Sequence, residues 1–117
     1  MSYDIYLTDP VSGETLHLDE KHHMTGGTYQ LGGSKECHLN VTYNYTKHYG
    51  SMGRDSIRTI YEMTGAESIP IMQKCADSLG NDVDPDYWKP TEGNAKRALL
   101  QLIALATMRP DGVWRGD

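Results

Sequence analysis

The chain of 117 residues has no phenylalanine, only two cysteines and no apolar run near the ~20 residues that a bilayer requires. Without Phe, eight tyrosines supply most of the aromatic surface. Each buries an apolar ring but must find a partner for its hydroxyl, so such a core leaves polar tips near clefts and interfaces. Cys37 and Cys75 are far apart in sequence and match neither a disulfide framework nor a zinc pair; two free thiols in a reducing cytosol are expected. The N-terminus alternates polar and apolar residues, so no secretory leader is expected either. In the cytoplasm the sequons Asn40-Val41-Thr42 and Asn44-Tyr45-Thr46 would never meet the glycosylation enzyme. Basic residues are scarce: 11 Lys and Arg face 16 Asp and Glu, a net charge of −5. Lys96-Arg97 is the one basic cluster. Duplex nucleic acid and membrane are therefore not expected partners, whereas one small anion could still be held locally.

What is present reads as one α+β domain spanning residues 1–117. Tyr3, Ile5 and Leu7 alternate with Asp4 and Tyr6, and Leu16 and Leu18 alternate with Thr15 and His17. Asp9-Pro10-Val11-Ser12-Gly13 between them predicts a β-hairpin. Thr28 to Leu31 reads as a short strand. Leu39, Val41, Tyr43 and Tyr45 predict another, with His38, Asn40, Thr42 and Asn44 lining the opposite face. After Gly50 the period changes. Ile57, Ile60 and Tyr61 predict a helix stopped by Gly65. Ser68 is expected to cap a second helix with Pro70 in its first turn, a stripe of Ile71, Met72, Cys75, Ala76 and Leu79, and an end at Gly80. Asn81 to Pro90 is an acidic loop. Ala95, Ala98, Leu99, Leu102, Ile103 and Ala106, widened by Leu100 and Leu105, predict a largely buried last helix stopped by Pro110. Val113 and Trp114 are expected to pack the tail back on the body. The order implies an N-terminal antiparallel sheet of about four strands against about three C-terminal helices.

The stretch His22 to Tyr45 gathers the candidate ligand groups. His22 and His23 are adjacent and lack the spacing of a zinc motif; they read as surface or hydrogen-bonding residues, or as ligand contacts, and no metal or other cofactor is expected. Thr25 with the pair Gly26-Gly27, like Gly32-Gly33, suits either a turn or a close ligand approach. Asn44 and Tyr45 offer an amide and a ring. Asp82, Asp84 and Asp86 resemble a calcium loop, but Tyr87 and Gly93 occupy the positions that need Gly and Glu. At the start of the last helix, Gly93, Asn94, Lys96 and Arg97 place cations against the positive dipole end, which suits either a bound anion or ion pairs with the Asp82–Asp86 loop. No G-x-S-x-G nucleophile motif occurs.

The blocks Tyr3-Asp4-Ile5-Tyr6-Leu7, His23-Met24-Thr25-Gly26-Gly27-Thr28-Tyr29, Leu39-Asn40-Val41-Thr42-Tyr43-Asn44-Tyr45, Met63 to Pro70 and Tyr87 to Lys96 resemble a family of small proteins of tailed phages and prophages. The resemblance implies action in the cytoplasm of an infected host and, by analogy with other compact phage proteins, an anti-defence role. It implies no activity and no site residues. The expectation is a binding protein that captures a small anionic ligand, a nucleotide immune signal being the chemistry in view, without breaking a bond. A protein–protein inhibitor or virion accessory is the alternative, and a phosphodiesterase using His22 and His23 the third reading. The composition also allows a homo-oligomer.

Overall fold

The computed structural model describes residues 1–28 and 31–117. The fold is α+β, built from β1 (Ser2–Thr8), β2 (His17–His22), β3 (Ser34–Glu36), β4 (His38–Thr42), α1 (Gly65–Asp77), α2 (Glu92–Met108) and β5 (Val113–Gly116), with 3₁₀ turns over Tyr43–Met52 and Ser56–Ile60. Among the described residues no helix is long and apolar enough to cross a membrane.

The expected four-stranded sheet is replaced by two smaller ones. An antiparallel sheet has the order β4-β1-β5, and a separate ribbon pairs β2 with β3. In β1, Tyr3, Ile5 and Leu7 turn into the core. The turn after it forms as its residues dictate: Asp9 Oδ1 accepts from the N–H of Val11 and of Ser12, and Gly13 takes φ +75°. The hairpin itself stops at the single bridge Thr8–Thr15. Cys37 donates to Leu16 and accepts from Leu7, so β4 takes the place beside β1 that β2 was expected to fill. The strand expected over 28–31 includes Tyr29 and Gln30, which lie outside the described residues.

β4 ends earlier than its alternation suggests. Thr42 Oγ1 accepts from the Asn44 N–H at 3.1 Å and so caps the following 3₁₀ turns. Tyr43 and Tyr45 therefore leave the sheet, while Asn40 and Thr42, expected on the surface opposite the apolar face, are buried. The helix expected at 57–61 is one short 3₁₀ stretch, and Gly65 opens α1 instead of stopping its predecessor. The cap of α1 is Thr64, four residues before Ser68. Thr64 and Glu67 form a reciprocal capping box that satisfies two N–H groups at once. Pro70 accordingly falls in the second turn. Ser68 is buried and accepts from Trp114 Nε1 at 2.7 Å.

α2 carries the expected stripe. Leu99, Leu102, Leu105 and Ala106 are fully buried, and share one core with Ile5, Leu7, Val41, Met72 and Trp114. Leu100, expected to widen the stripe, is 42% exposed. The tail packs back as β5 along β1.

Candidate functional site

The outward side of α2 organises the candidate site. Asn94, Arg97 and Gln101 are spaced i, i+3, i+7 and share one face. Asn94 and Gln101 each hold a loop. Asn94, 1% exposed, accepts from Asp84 N–H and donates from Nδ2 to the carbonyls of Asp86 and Lys89, each at 3.0 Å. Gln101 grips the backbone of Thr25 twice: Oε1 accepts from its N–H at 2.7 Å and Nε2 donates to its carbonyl at 2.8 Å.

The two loops meet over the edge of β4. Gly27 N–H and the Tyr87 hydroxyl both donate to the Asn40 carbonyl, at 3.0 and 3.1 Å, and Thr42 N–H donates to the same hydroxyl at 3.0 Å. This covers an edge that would otherwise be open to strand addition. The glycines make the approach feasible. A Cβ on Gly26 would stand 2.5 Å from the Asn40 carbonyl oxygen, and one on Gly27 would stand 3.0 Å from the Trp88 ring. The 3₁₀ segment braces the acidic loop from the other side: Asn44 Nδ2 donates to the Trp88 carbonyl at 2.8 Å, and the Tyr45 hydroxyl donates to the Tyr87 carbonyl. Burial raises the hydroxyl pKa of both Tyr45 and Tyr87, and the charge of Arg97 partly offsets this at each. Arg97 lies on the same face of α2 as Asn94 and Gln101. It is half-buried and makes no hydrogen bond or ion pair among the described residues.

Six of the residues singled out in the sequence thus lie in the two loops or against them: Thr25, Gly26, Gly27, Asn44, Tyr45 and Asn94. Gly93 and Lys96 belong to another contact. Gly93 N–H donates to Asp82 Oδ1 and Asn94 N–H to Thr91 Oγ1, so the chain itself takes donors at the start of α2. The close approach that Gly93 allows is that of the Asp82–Val83 backbone. Lys96 Nζ donates to the Leu79 carbonyl and to Asn81 Oδ1 rather than pairing with an acidic side chain. Sequence reasoning missed Tyr87, Trp88, Asn40 and Gln101. Helical spacing from Asn94 and Arg97 would have pointed to Gln101.

His22 and His23 line an adjoining cleft with His38, Ser34 and Asn40, whose cavity volume is about 40 Å³. That holds a few waters at ~10–15 Å³ each, whereas organic ligands occupy clefts of roughly 300–1,000 Å³. His22 is committed on both ring nitrogens: Nε2 donates to the Glu36 carbonyl at 2.7 Å and Nδ1 accepts from Met24 N–H at 3.3 Å. Among the described residues no group of three or more His, Cys, Asp or Glu side chains could hold a metal ion. His38 Nε2 donates to Asp4 Oδ1 at 3.1 Å, which also accepts from Asn40 Nδ2 at 2.8 Å.

Compared with family models, with curated proteins and with solved structures, the chain finds no match.

The Asp4 contacts predict an acid limb of stability. The Asn40 hydrogen bond, with a smaller contribution from His38, holds the Asp4 carboxyl below its ordinary range despite partial burial. A depressed carboxyl stabilises the fold above its unfolded pKa and loses that contribution as pH falls through the folded value. Melting temperature should therefore fall below about pH 4, with a shallower fall in Asp4→Asn, which keeps an acceptor for Asn40. Parallel acid limbs for the two proteins would remove Asp4 as a cause.

Proposed function

We propose that the protein is a non-catalytic binding protein that captures a small anionic ligand on the outward face of α2, between the 24–28 loop and the 86–89 loop. Arg97 is the anion-binding group. Trp88, 48% exposed, offers an indole face to a flat part of the ligand, and a nucleotide combines both chemistries. Taken with the resemblance to tailed-phage proteins, the ligand would be a nucleotide immune signal, and capture without cleavage would be an anti-defence function in the host cytoplasm. The observation that carries the reading is Arg97. The residue is half-buried and its planar fork of donors has no partner among the described residues, while Asn94 and Gln101 on either side are hydrogen-bonded to the two loops.

Calorimetry against cyclic and linear nucleotides, with inorganic phosphate as control, tests it. Arg97→Ala should weaken binding by about 1.5–3 kcal/mol, roughly 10–150-fold, and leave the melting temperature of the free protein nearly unchanged. A lower melting temperature with unaltered affinity would make Arg97 a structural residue. Recovery of the ligand intact after denaturation separates capture from hydrolysis.

A second reading, a protein–protein inhibitor or virion accessory, draws on the exposed apolar side chains Trp88, Leu100 and Met108. Silence across the nucleotide panel, together with a stoichiometric host protein in a pull-down that Trp88→Ala abolishes, would favour it.

A further inference from the structure

The three histidines of the small cleft differ in what a proton would do to them. His23 is exposed, and a charge there is met by water. His38 already holds Asp4 Oδ1 at 3.1 Å, an ion pair once the ring is charged. His22 is half-buried and uses both ring nitrogens. A carbonyl can only accept, so Nε2, 2.7 Å from the Glu36 carbonyl, carries the ring proton. A backbone N–H can only donate, so Nδ1, 3.3 Å from Met24 N–H, carries none. A second proton would land on Nδ1 and set two N–H groups face to face. The groups packed around His22 do not relieve this. From β4 comes His38, a second cation when protonated, with Asp4 committed to it and to Asn40. From β3 comes the Glu36 carbonyl, already in use. On the other side an open groove of about 650 Å³ carries Lys21, Arg109 and His17 against Asp19 and Glu20. Among the described residues none of these carboxylates pairs with His22. The backbone of His22 is packed closely as well: a Cβ on Gly33 would stand 2.7 Å from its carbonyl oxygen. The side that yields is Met24.

We infer that His22 is a pH latch on the 24–28 loop, closed while its ring is neutral and released in mild acid. Met24 is joined to Thr25, whose N–H and carbonyl Gln101 grips, and Gly27 N–H closes the loop on the Asn40 carbonyl. Turning the Met24 peptide away from a charged ring tilts the Thr25 N–H off Gln101, so the loop loosens from its first residues onward. A histidine free in solvent titrates near pH ~6.5. When only the released state takes the proton, opening becomes about tenfold more favourable between about pH 7.5 and about pH 5.5. The released state binds the extra proton, so the closed state prevails above this window and loses ground as pH falls through it. The window lies above the acid limb set by Asp4. The latch belongs to the free protein and operates with or without a ligand.

Backbone amide exchange of the full chain at these two pH values, each corrected for the intrinsic rate at that pH, tests this. Protection of Met24, Thr25 and Gly27 should fall about tenfold. Leu99 and Leu102 in the core should keep theirs, which shows that the chain stays folded. His22→Asn places an acceptor near the position of Nδ1 and does not titrate. Its loop protection, whatever the absolute level, should no longer depend on pH. His23→Asn should retain the fall. Nitrogen chemical shifts of the histidine rings at the higher pH read the tautomer directly, and Nδ1 of His22 should be unprotonated. A wild type with equal loop protection at both pH values overturns the inference. So does a fall that persists in His22→Asn, or a proton found on Nδ1 of His22 at the higher pH.

Discussion

Trp114→Ala should destabilise the protein by about 3–5 kcal/mol, the range for removing a fully buried large aromatic side chain. Trp114 is 0% exposed and is the largest fully buried side chain in the core. Its backbone ties β5 to the approach to α1: Trp114 N–H donates to the Met63 carbonyl at 2.9 Å and its carbonyl accepts from Glu62 at 2.8 Å. Its indole N–H donates to Ser68 Oγ, which itself donates to the Gly65 carbonyl at 2.8 Å in the first turn of α1. One residue therefore joins the sheet to a helix by both backbone and side chain. The cost is chiefly the cavity, because Ser68 keeps its own acceptor after the indole is gone. Trp114→Phe should lose far less, about 1–2 kcal/mol for the hydrogen bond and the smaller ring. Urea titration of the three proteins separates these outcomes. A loss below about 1 kcal/mol for the alanine variant would mean that the tail is not part of the core.

Asn94→Ala should cost about 2–3 kcal/mol of stability and also lower ligand affinity without any direct contact to the ligand. Its side chain makes three hydrogen bonds to the acidic loop from a buried position. Each contributes about 0.5–1.5 kcal/mol, and water can reach part of this exposed loop once the amide is removed. The loop carries Tyr87 and Trp88, so releasing it unseats the indole. Asn94→Asp distinguishes positioning from simple volume. It retains the acceptor for Asp84 N–H but sets a carboxylate against the carbonyls of Asp86 and Lys89, so it should fare no better than alanine. Acrylamide quenching reads the effect directly, since Trp114 is buried and Trp88 half-exposed. Quenching and affinity that match the wild type in both variants would show that Asn94 does not position the loop.

The candidate site was partly legible because glycine pairs and helix starts carry local meaning. Gly26-Gly27 and the cations of α2 were recognisable as places where backbone or charge is unusual. What each serves was not legible. Gly93 admits the chain's own Asp82–Val83 backbone, whereas Gly27 admits Asn40 and Trp88. A glycine announces close approach without naming what approaches. The start of α1 was legible and misread: Thr64-x-x-Glu67 is a complete capping box, and reciprocal satisfaction of two N–H groups outweighs the single hydroxyl of Ser68.

The sequence by itself determined the elements whose burial follows one period. The alternation of Tyr3, Ile5 and Leu7 specified β1, and the stripe from Ala95 to Ala106 specified α2, because each pattern leaves only one conformation that buries its apolar residues on one side. Tertiary structure alone decided the partners. Leu16 and Leu18 alternate as well as Leu39 and Val41 do, yet β4 and not β2 lies beside β1, since alternation fixes which face is buried and says nothing about which edge is shared. It likewise took the folded chain to set Asn94 against a loop some ten residues before it and Gln101 against one some seventy-six residues before it. The hydrogen bonds that hold the two loops to α2 and β4 join residues whose local sequences carry no trace of each other.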